Sequence, residues 1–366
     1  MAISDLSVSI SSVVGIGEIP WAEAVGMTFI NELIAEINFP PRKAASYLCT
    51  RHDTAALGGN HMKRRHLLQG LSLGLGFAAT APMVAAPVAA QPAKEASLVP
   101  PSPWPAPNLA AGDTLGHCSV GDGSAVCVVL HEWLGDHVNW EPTLPYFDLA
   151  RHTLYFLDLR GYGWSRNLGG SYTLEEASSD VLRTIDRVGI SRFHLVGHSM
   201  SGLIAQKVAL GAASRIQSLT LFSPVPPTGF HADDAAMKAL NAVIDENEAA
   251  ARAINARTSN RYGAGWMQRK LKIARDAATI EAMRGYLKMF TTEAITDDTH
   301  GLTAPIHVVN GAQDIAFYRG EASHNAFAAA YGAATYEMID DAGHYSMLET
   351  PVRVASIIEK RVAAAG

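Results

Sequence analysis

The stretch Leu195-Val196-Gly197-His198-Ser199-Met200-Ser201-Gly202 sets a serine between small residues, where an apolar strand gives way to a helix. Phe193 to Val196 has the β-branched and aromatic character of a buried strand, and Leu203 to Leu210 places apolar side chains at helical spacing. A turn this sharp projects one side chain out of the sheet, tolerates only small neighbours, and aims the positive end of the new helix at whatever the serine attacks. Gly197 meets the need for a small residue. The usual form of such an elbow is G-x-S-x-G; here Ser201 holds the last position and the glycine follows one place later.

A serine hydroxyl is a poor nucleophile until a histidine accepts its proton, and the histidine needs a carboxylate to fix its tautomer. Where a serine stands on such a strand-to-helix elbow, the acid and then the base follow it in the chain. The run from Ala304 to Gly311 reads as a buried strand whose following loop carries Asp314, the candidate acid. A second strand-like run, Ala334 to Ile339, leads through Asp340 and Asp341 to Gly343 and His344 at the start of a terminal helix. His344 is the candidate base. Asp340 and Asp341 are read as solvated turn residues.

Further segments share this order. Val128-Val129-Leu130-His131 is followed by Gly135 and Trp140, then by Asp158-Leu159-Arg160-Gly161-Tyr162-Gly163-Trp164-Ser165, and finally by Gly343-His344 with Leu348, Glu349 and Pro351. From about Val126 to the C-terminus the chain resembles the α/β-hydrolase superfamily in its cap-bearing group. The resemblance implies a mostly parallel central sheet with helices on both faces and an inserted helical cap. It also implies an ester- or lactone-cleaving serine hydrolase with Ser199, Asp314 and His344 as its triad. Serine at the elbow argues against the epoxide hydrolase and haloalkane dehalogenase branches, which use a carboxylate there.

Acyl transfer passes through a tetrahedral oxyanion that preorganised N–H donors stabilise. The backbone N–H groups of Met200 and Trp133 are the expected oxyanion hole. Members of the family usually have glycine after the histidine, whereas this chain has His131-Glu132-Trp133. Glu132 is read as a solvent-facing loop residue in preference to one that perturbs the pocket. A perhydrolase or haloperoxidase would use the same triad with peroxide and a carboxylic acid. A ligand-binding protein of this fold is the other alternative, against which a complete triad argues.

Positioning these residues takes alternating strands and helices. His152 to Asp158 reads as a strand. Thr173-Leu174-Glu175-Glu176 is a capping box opening a helix to about Val188, with Val181, Leu182 and Ile185 inward and Gly189 ending it. Ile216 to Phe222 is another strand, after which the alternation stops. Residues 225–300 are Ala-, Arg- and Met-rich at helical spacing and are read as the cap. Trp266, Met267, Met283, Tyr286, Met289 and Phe290 give it a heavy apolar load, mostly spent on packing, with a few side chains left for the pocket. That load points to an uncharged ester or lactone with aliphatic or aromatic bulk.

The N-terminal quarter differs. Met62-Lys63-Arg64-Arg65-His66-Leu67-Leu68-Gln69 precedes an apolar, Gly- and Ala-rich run ending in Val88-Ala89-Ala90. This resembles a twin-arginine export signal over residues 62–90. Residues 1–61 show no sustained periodicity and are read as an extension ahead of a start at Met62. Residues 91–366 are then the mature hydrolase domain, exported to the periplasm or beyond and free of the membrane once the signal is cleaved. With a net charge of −6 and no basic run inside the domain, nucleic-acid binding has no support. Neither zinc-type Cys/His spacing nor a dinucleotide or P-loop glycine pattern occurs, so no metal or cofactor is expected.

Of three cysteines, Cys118 and Cys127 fall in the mature chain. Read locally, Gly121-Asp122-Gly123-Ser124 is a hairpin turn that would set them opposite one another, within reach of a disulfide. The family topology implies instead that the strand near residue 155 lies between them, which would leave them unbridged.

Overall fold

The computed structural model describes residues 102–365, apart from 296 and 298. The extension, export signal and cleavage site read over residues 1–90 lie outside the described residues. Among the described residues, the strands are β1 (His117–Val120), β2 (Ala125–Leu130), β3 (His152–Leu157), β4 (Phe193–His198), β5 (Ile216–Phe222), β6 (Ile306–Gly311) and β7 (Thr335–Ile339). They form one sheet in the order β1-β3-β2-β4-β5-β6-β7, antiparallel only between β1 and β3. Inner parallel strands are covered on both faces and so read as continuous apolar runs. Accordingly, β4 and β6 are buried along their whole length.

The helices are α1 (Leu174–Arg187), α2 (Met200–Gly211), α3 (Asp234–Asp245), α4 (Asn247–Ala256), α5 (Ala264–Ala277), α6 (Ile280–Thr292), the short α7 (Ala316–Arg319), α8 (Glu321–Tyr331), the short α9 (Ser346–Glu349) and α10 (Pro351–Ala365). α1 packs on α2, which lies against β4 and β5, while α10 packs against β5 and the 3-10 segment His137–Tyr146. α3 to α6 fill the stretch between β5 and β6 where the strand alternation stops. Of the apolar residues in that insert, Met283, Tyr286, Met289 and Phe290 are buried and Trp266 and Met267 are half-buried.

Local capping follows the sequence with one shift. Thr173 accepts the Glu176 N–H at 3.1 Å, and Glu176 accepts in return from the N–H of Tyr172 at 2.6 Å, one residue earlier than a strict capping box. Gly189 leaves the helix with φ +76°, a conformation that glycine adopts without a Cβ penalty.

The hairpin that local reading suggested for β1 and β2 does not form. β3 lies between them, with Cys118 opposite Phe156 and Cys127 opposite Leu154. Two strand spacings are about 9.6 Å, beyond disulfide reach. Both thiols are free and buried, and burial followed by the charge of Glu359 pushes Cys127 up to about 12.

The sheet's C-terminal rim receives the loops after β2, β4, β6 and β7. Ligand sites of open α/β sheets collect at this edge. All five candidate site residues lie on these loops or at the helix start that follows.

Candidate active site

Ser199 sits at φ 53°, ψ −115°, backbone space that a non-glycine residue enters at a cost of about 1–3 kcal/mol. The strand-to-helix junction holds it there. Its N–H donates to the Phe222 carbonyl at 2.9 Å, and its carbonyl accepts from Gly202 at 2.8 Å and Val225 at 2.9 Å. A Cβ at Gly197 would lie 2.7 Å from the Ser201 carbonyl oxygen, and one at Gly202 would lie 2.7 Å from the Pro224 Cα. Glycine is therefore required at 197 and 202. At 201 a hydroxyl has a use, because Ser201 Oγ donates to the His131 carbonyl.

His344 Nε2 lies 2.9 Å from Ser199 Oγ, and His344 Nδ1 lies 2.7 Å from Asp314 Oδ2. Ser199, His344 and Asp314 are all buried. A carboxylate at Nδ1 assigns the proton to that nitrogen and leaves Nε2 to accept from the serine hydroxyl. The other Asp314 oxygen accepts the Ile315 N–H at 2.7 Å. Asp340 and Asp341 are exposed.

The loop after β2 corrects one expectation. Glu132 does not face solvent; it is 2% exposed and lines the cavity at Ser199. Its Oε1 accepts from Lys270 Nζ at 2.8 Å and from Asn139 Nδ2 at 2.9 Å, and its Oε2 accepts the Leu134 N–H at 2.6 Å. The buried cation comes from α5, 138 residues away in sequence, so nothing local to Glu132 announces it. Burial alone would raise this carboxyl, but Lys270 holds it at about 2. Lys270, equally buried, is lowered by desolvation against the pull of Glu132.

Trp133 and Met200 both line the cavity. Among the described residues the Trp133 N–H has no hydrogen-bond acceptor. Met200 opens α2, so its N–H has no partner within the helix. The Trp133 side chain reaches outward, donating from Nε1 to the Met283 carbonyl at 2.8 Å, and its carbonyl accepts from Tyr162 Oη at 2.8 Å.

Sequence reading missed Arg257, Tyr318 and Tyr345, which also line the cavity, and Lys270 behind it. Tyr345 follows His344 directly; the others arrive from the insert or from α7 and carry no local motif. Tyr318 is pushed up to about 12 by burial, with its hydroxyl beside Ser199. His198 is neutral, pushed down to about 3 by burial and then by His344, and its Nε2 lies 2.8 Å from the His344 carbonyl. Apolar Val225, Phe230, Leu240 and Phe290 complete the wall. The space enclosed is about 20 Å³, on the order of one or two water molecules.

Asp136, His137 and Asp158 group their donor atoms within 4.8 Å of one another. The oxygens of Asp158 are committed to the His137 N–H at 2.9 Å, His137 Nδ1 at 2.6 Å and the Trp164 N–H at 2.8 Å. That saturation suits a structural tie better than a metal ligand set.

A mostly parallel sheet with a serine on a strand-to-helix elbow, hydrogen-bonded to a histidine and aspartate from later loops, is the architecture of an α/β hydrolase. A family model described as alpha/beta hydrolase fold matches residues 126–351, and the chain belongs to that family. Among curated proteins it is similar to the dihydrolipoyllysine-residue acetyltransferase component of the acetoin cleaving system of Cupriavidus necator, 38% identical over 106 residues, covering 29% of this chain and 28% of that protein. It is also similar to the pimeloyl-[acyl-carrier protein] methyl ester esterase of Klebsiella pneumoniae, 32% identical over 109 residues, covering 30% of this chain and 40% of that one. The chain matches less than half the length of these relatives. Among solved structures, a bromoperoxidase from Bacillus anthracis superposes with TM-score 0.60 at 18% identity, over 68% of this chain and 95% of that one. An enol-lactonase from Burkholderia xenovorans superposes with TM-score 0.57 at 23% identity, over 68% and 95%. At these identities the likeness is one of fold.

Proposed function

We propose that the protein is a serine hydrolase that cleaves a carboxylic ester or lactone through an acyl-enzyme. The observation that carries the reading is the buried relay Ser199 Oγ, His344 Nε2, His344 Nδ1, Asp314 Oδ2, at 2.9 and 2.7 Å, on a backbone elbow held at positive φ. Its parts do what acyl transfer needs. His344 Nε2 takes the hydroxyl proton as Ser199 Oγ bonds to the carbonyl carbon, and the N–H groups of Met200 and Trp133 hold the resulting oxyanion. Collapse of that intermediate breaks the bond to the leaving oxygen, which receives the proton from His344. Water then attacks the acyl-enzyme with His344 again as base, releasing the acid and restoring Ser199. Asp314 keeps Nδ1–H in place through both steps. Hydroxyl chemistry at the elbow, in place of a carboxylate nucleophile, supports ester or lactone cleavage over dehalogenation.

Ser199→Ala should lower ester turnover by on the order of a millionfold while leaving the melting temperature near that of the parent. A fluorophosphonate probe should label Ser199 and nothing else. Retained turnover in the alanine variant, or an unlabelled Ser199, overturns the assignment. An assay with peroxide and a carboxylic acid scores peracid formation separately.

The proposal includes export. The paired arginines, apolar run and small-residue end of residues 62–90 support passage across a membrane followed by cleavage near Ala90.

A further inference from the structure

Most charges around Ser199 are paired. Asp314 is bound to His344 at 2.7 Å, and Glu132 to Lys270 at 2.8 Å. Arg257 differs. It follows the last residue of α4, is 8% exposed and lines the cavity with Ser199 and His344. Among the described residues the only hydrogen bond from its guanidinium runs from Nη1 to the Ala253 carbonyl at 3.1 Å, and no carboxylate oxygen lies within 4.0 Å of it. Two other arginines of the insert are paired with carboxylates, Arg284 with Asp245 at 2.7 Å and Arg261 with Glu349 at 2.6 Å. Arg257 also stays charged. Burial opposes this, but Tyr345, Tyr318, Asp314 and Glu132 together raise its pKa.

A second observation concerns Tyr345, which is fully buried and lines the same cavity. Its Oη has no hydrogen-bond partner among the described residues. A buried donor left unmade is costly and calls for an explanation. Here the orphan hydroxyl shares a pocket with a guanidinium that has five donors and uses one. The Tyr318 hydroxyl stands nearby, beside Ser199. All three side chains line the cavity at Ser199, whose wall otherwise holds Glu132, already committed to Lys270, the proposed triad and apolar Val225, Phe230, Leu240 and Phe290. What satisfies them is a compact, planar, anionic group with two acceptor oxygens, the shape a guanidinium fork matches.

We infer that Arg257 and Tyr345 form a carboxylate subsite beside the nucleophile, so that the substrate is an ester or lactone bearing a free carboxylate near its scissile bond. This rests on Ser199 being the nucleophile. It replaces the uncharged substrate that the insert's composition suggested, because one unpaired buried cation outweighs a wall of packing side chains in choosing a ligand.

Two matched pairs of esters test it. Monomethyl succinate and methyl isocaproate place a carboxylate or an isopropyl group on the acyl side; O-acetylglycolate and isobutyl acetate do so on the alcohol side. In the parent enzyme kcat/KM should favour the charged member of at least one pair by about tenfold to a hundredfold. Arg257→Met should collapse that ratio, and Arg257→Lys should keep part of it. Tyr345→Phe should lower the ratio while raising the melting temperature, since it removes a hydroxyl that has no partner. A parent enzyme indifferent to charge in both pairs overturns the inference whatever the variants do, as does a ratio that survives Arg257→Met. Fluorophosphonate labelling separates the two ways of failing. If Ser199 is labelled and uncharged esters turn over without a charge preference, only the subsite falls. If Ser199 is unlabelled and no ester turns over, the hydrolase reading falls and takes the subsite with it.

Discussion

At the scale of single residues, a departure from the family pattern has a specific use. Ser201 stands where glycine usually does, and its hydroxyl ties α2 to the His131 carbonyl at the root of the loop that carries Trp133. The close backbone approach that glycine serves is met at 197 and 202 instead. Ser201→Ala should therefore cost about 1 kcal/mol in stability and lower kcat several-fold, since that loop presents a proposed oxyanion donor. Chemical denaturation and steady-state kinetics read both. A Ser201→Gly enzyme as stable and as fast as the parent would show that only space matters at this position. His198 has a comparable part in the proposed reaction: held neutral by burial, it would add no second positive charge beside a protonated His344.

At the scale of elements, several hydrogen bonds fasten the insert to the loops that carry the site. Lys270 of α5 bonds Glu132 and the Leu134 carbonyl, Trp133 bonds the Met283 carbonyl in α6, and the His344 N–H donates to the Arg257 carbonyl after α4 at 2.8 Å. Gly343 belongs to this contact, since a Cβ there would overlap the Arg257 carbonyl. About 20 Å³ is open at Ser199, and these hydrogen bonds join the walls of that cavity contributed by the insert to those contributed by the loops after β2 and β7. Glu132→Gln leaves Lys270 charged and unpaired in the interior and should destabilise the fold by roughly 3–5 kcal/mol. Adding Lys270→Met should recover much of the loss. The pH dependence has a definite sign. Glu132 is held at about 2 against its ordinary 4.5, so its contribution is complete above 4.5 and disappears as the pH falls toward 2. Thermal melts across that window should fall less steeply for the double variant than for the parent; parallel curves would remove Glu132 from the account.

At the scale of the whole molecule, the first of the described residues already pack on the sheet. Trp104 packs edge-on against Phe156 at 4.8 Å and Trp164 at 5.8 Å, and Asn108 bridges His117. Among the described residues no helix is long and apolar enough to cross a membrane. A chain starting at Gln91 should match the full chain in melting temperature and kcat/KM, and, if the proposed export signal is cleaved, N-terminal sequencing of the native protein should begin near residue 91. A native N-terminus ahead of Met62 would overturn the export proposal.

The sequence by itself determined the strands of the core, the elbow at Ser199 and the order of its partners, because buried parallel strands are continuous apolar runs and the turn residues between them are chemically constrained. Ser199, Asp314 and His344 were legible for that reason, each standing just after a strand. The β1–β2 hairpin was misread because a local turn signal cannot reveal that β3 lies between its strands. Glu132, Arg257 and Lys270 were decided only by the tertiary structure. A charge is read from sequence as solvated by default, and burying Glu132 depends on Lys270, 138 residues away. That distance separates the two proposals made for the site: chemistry at the elbow, written in local pattern, and a charged ligand, argued from side chains that the insert brings to the cavity.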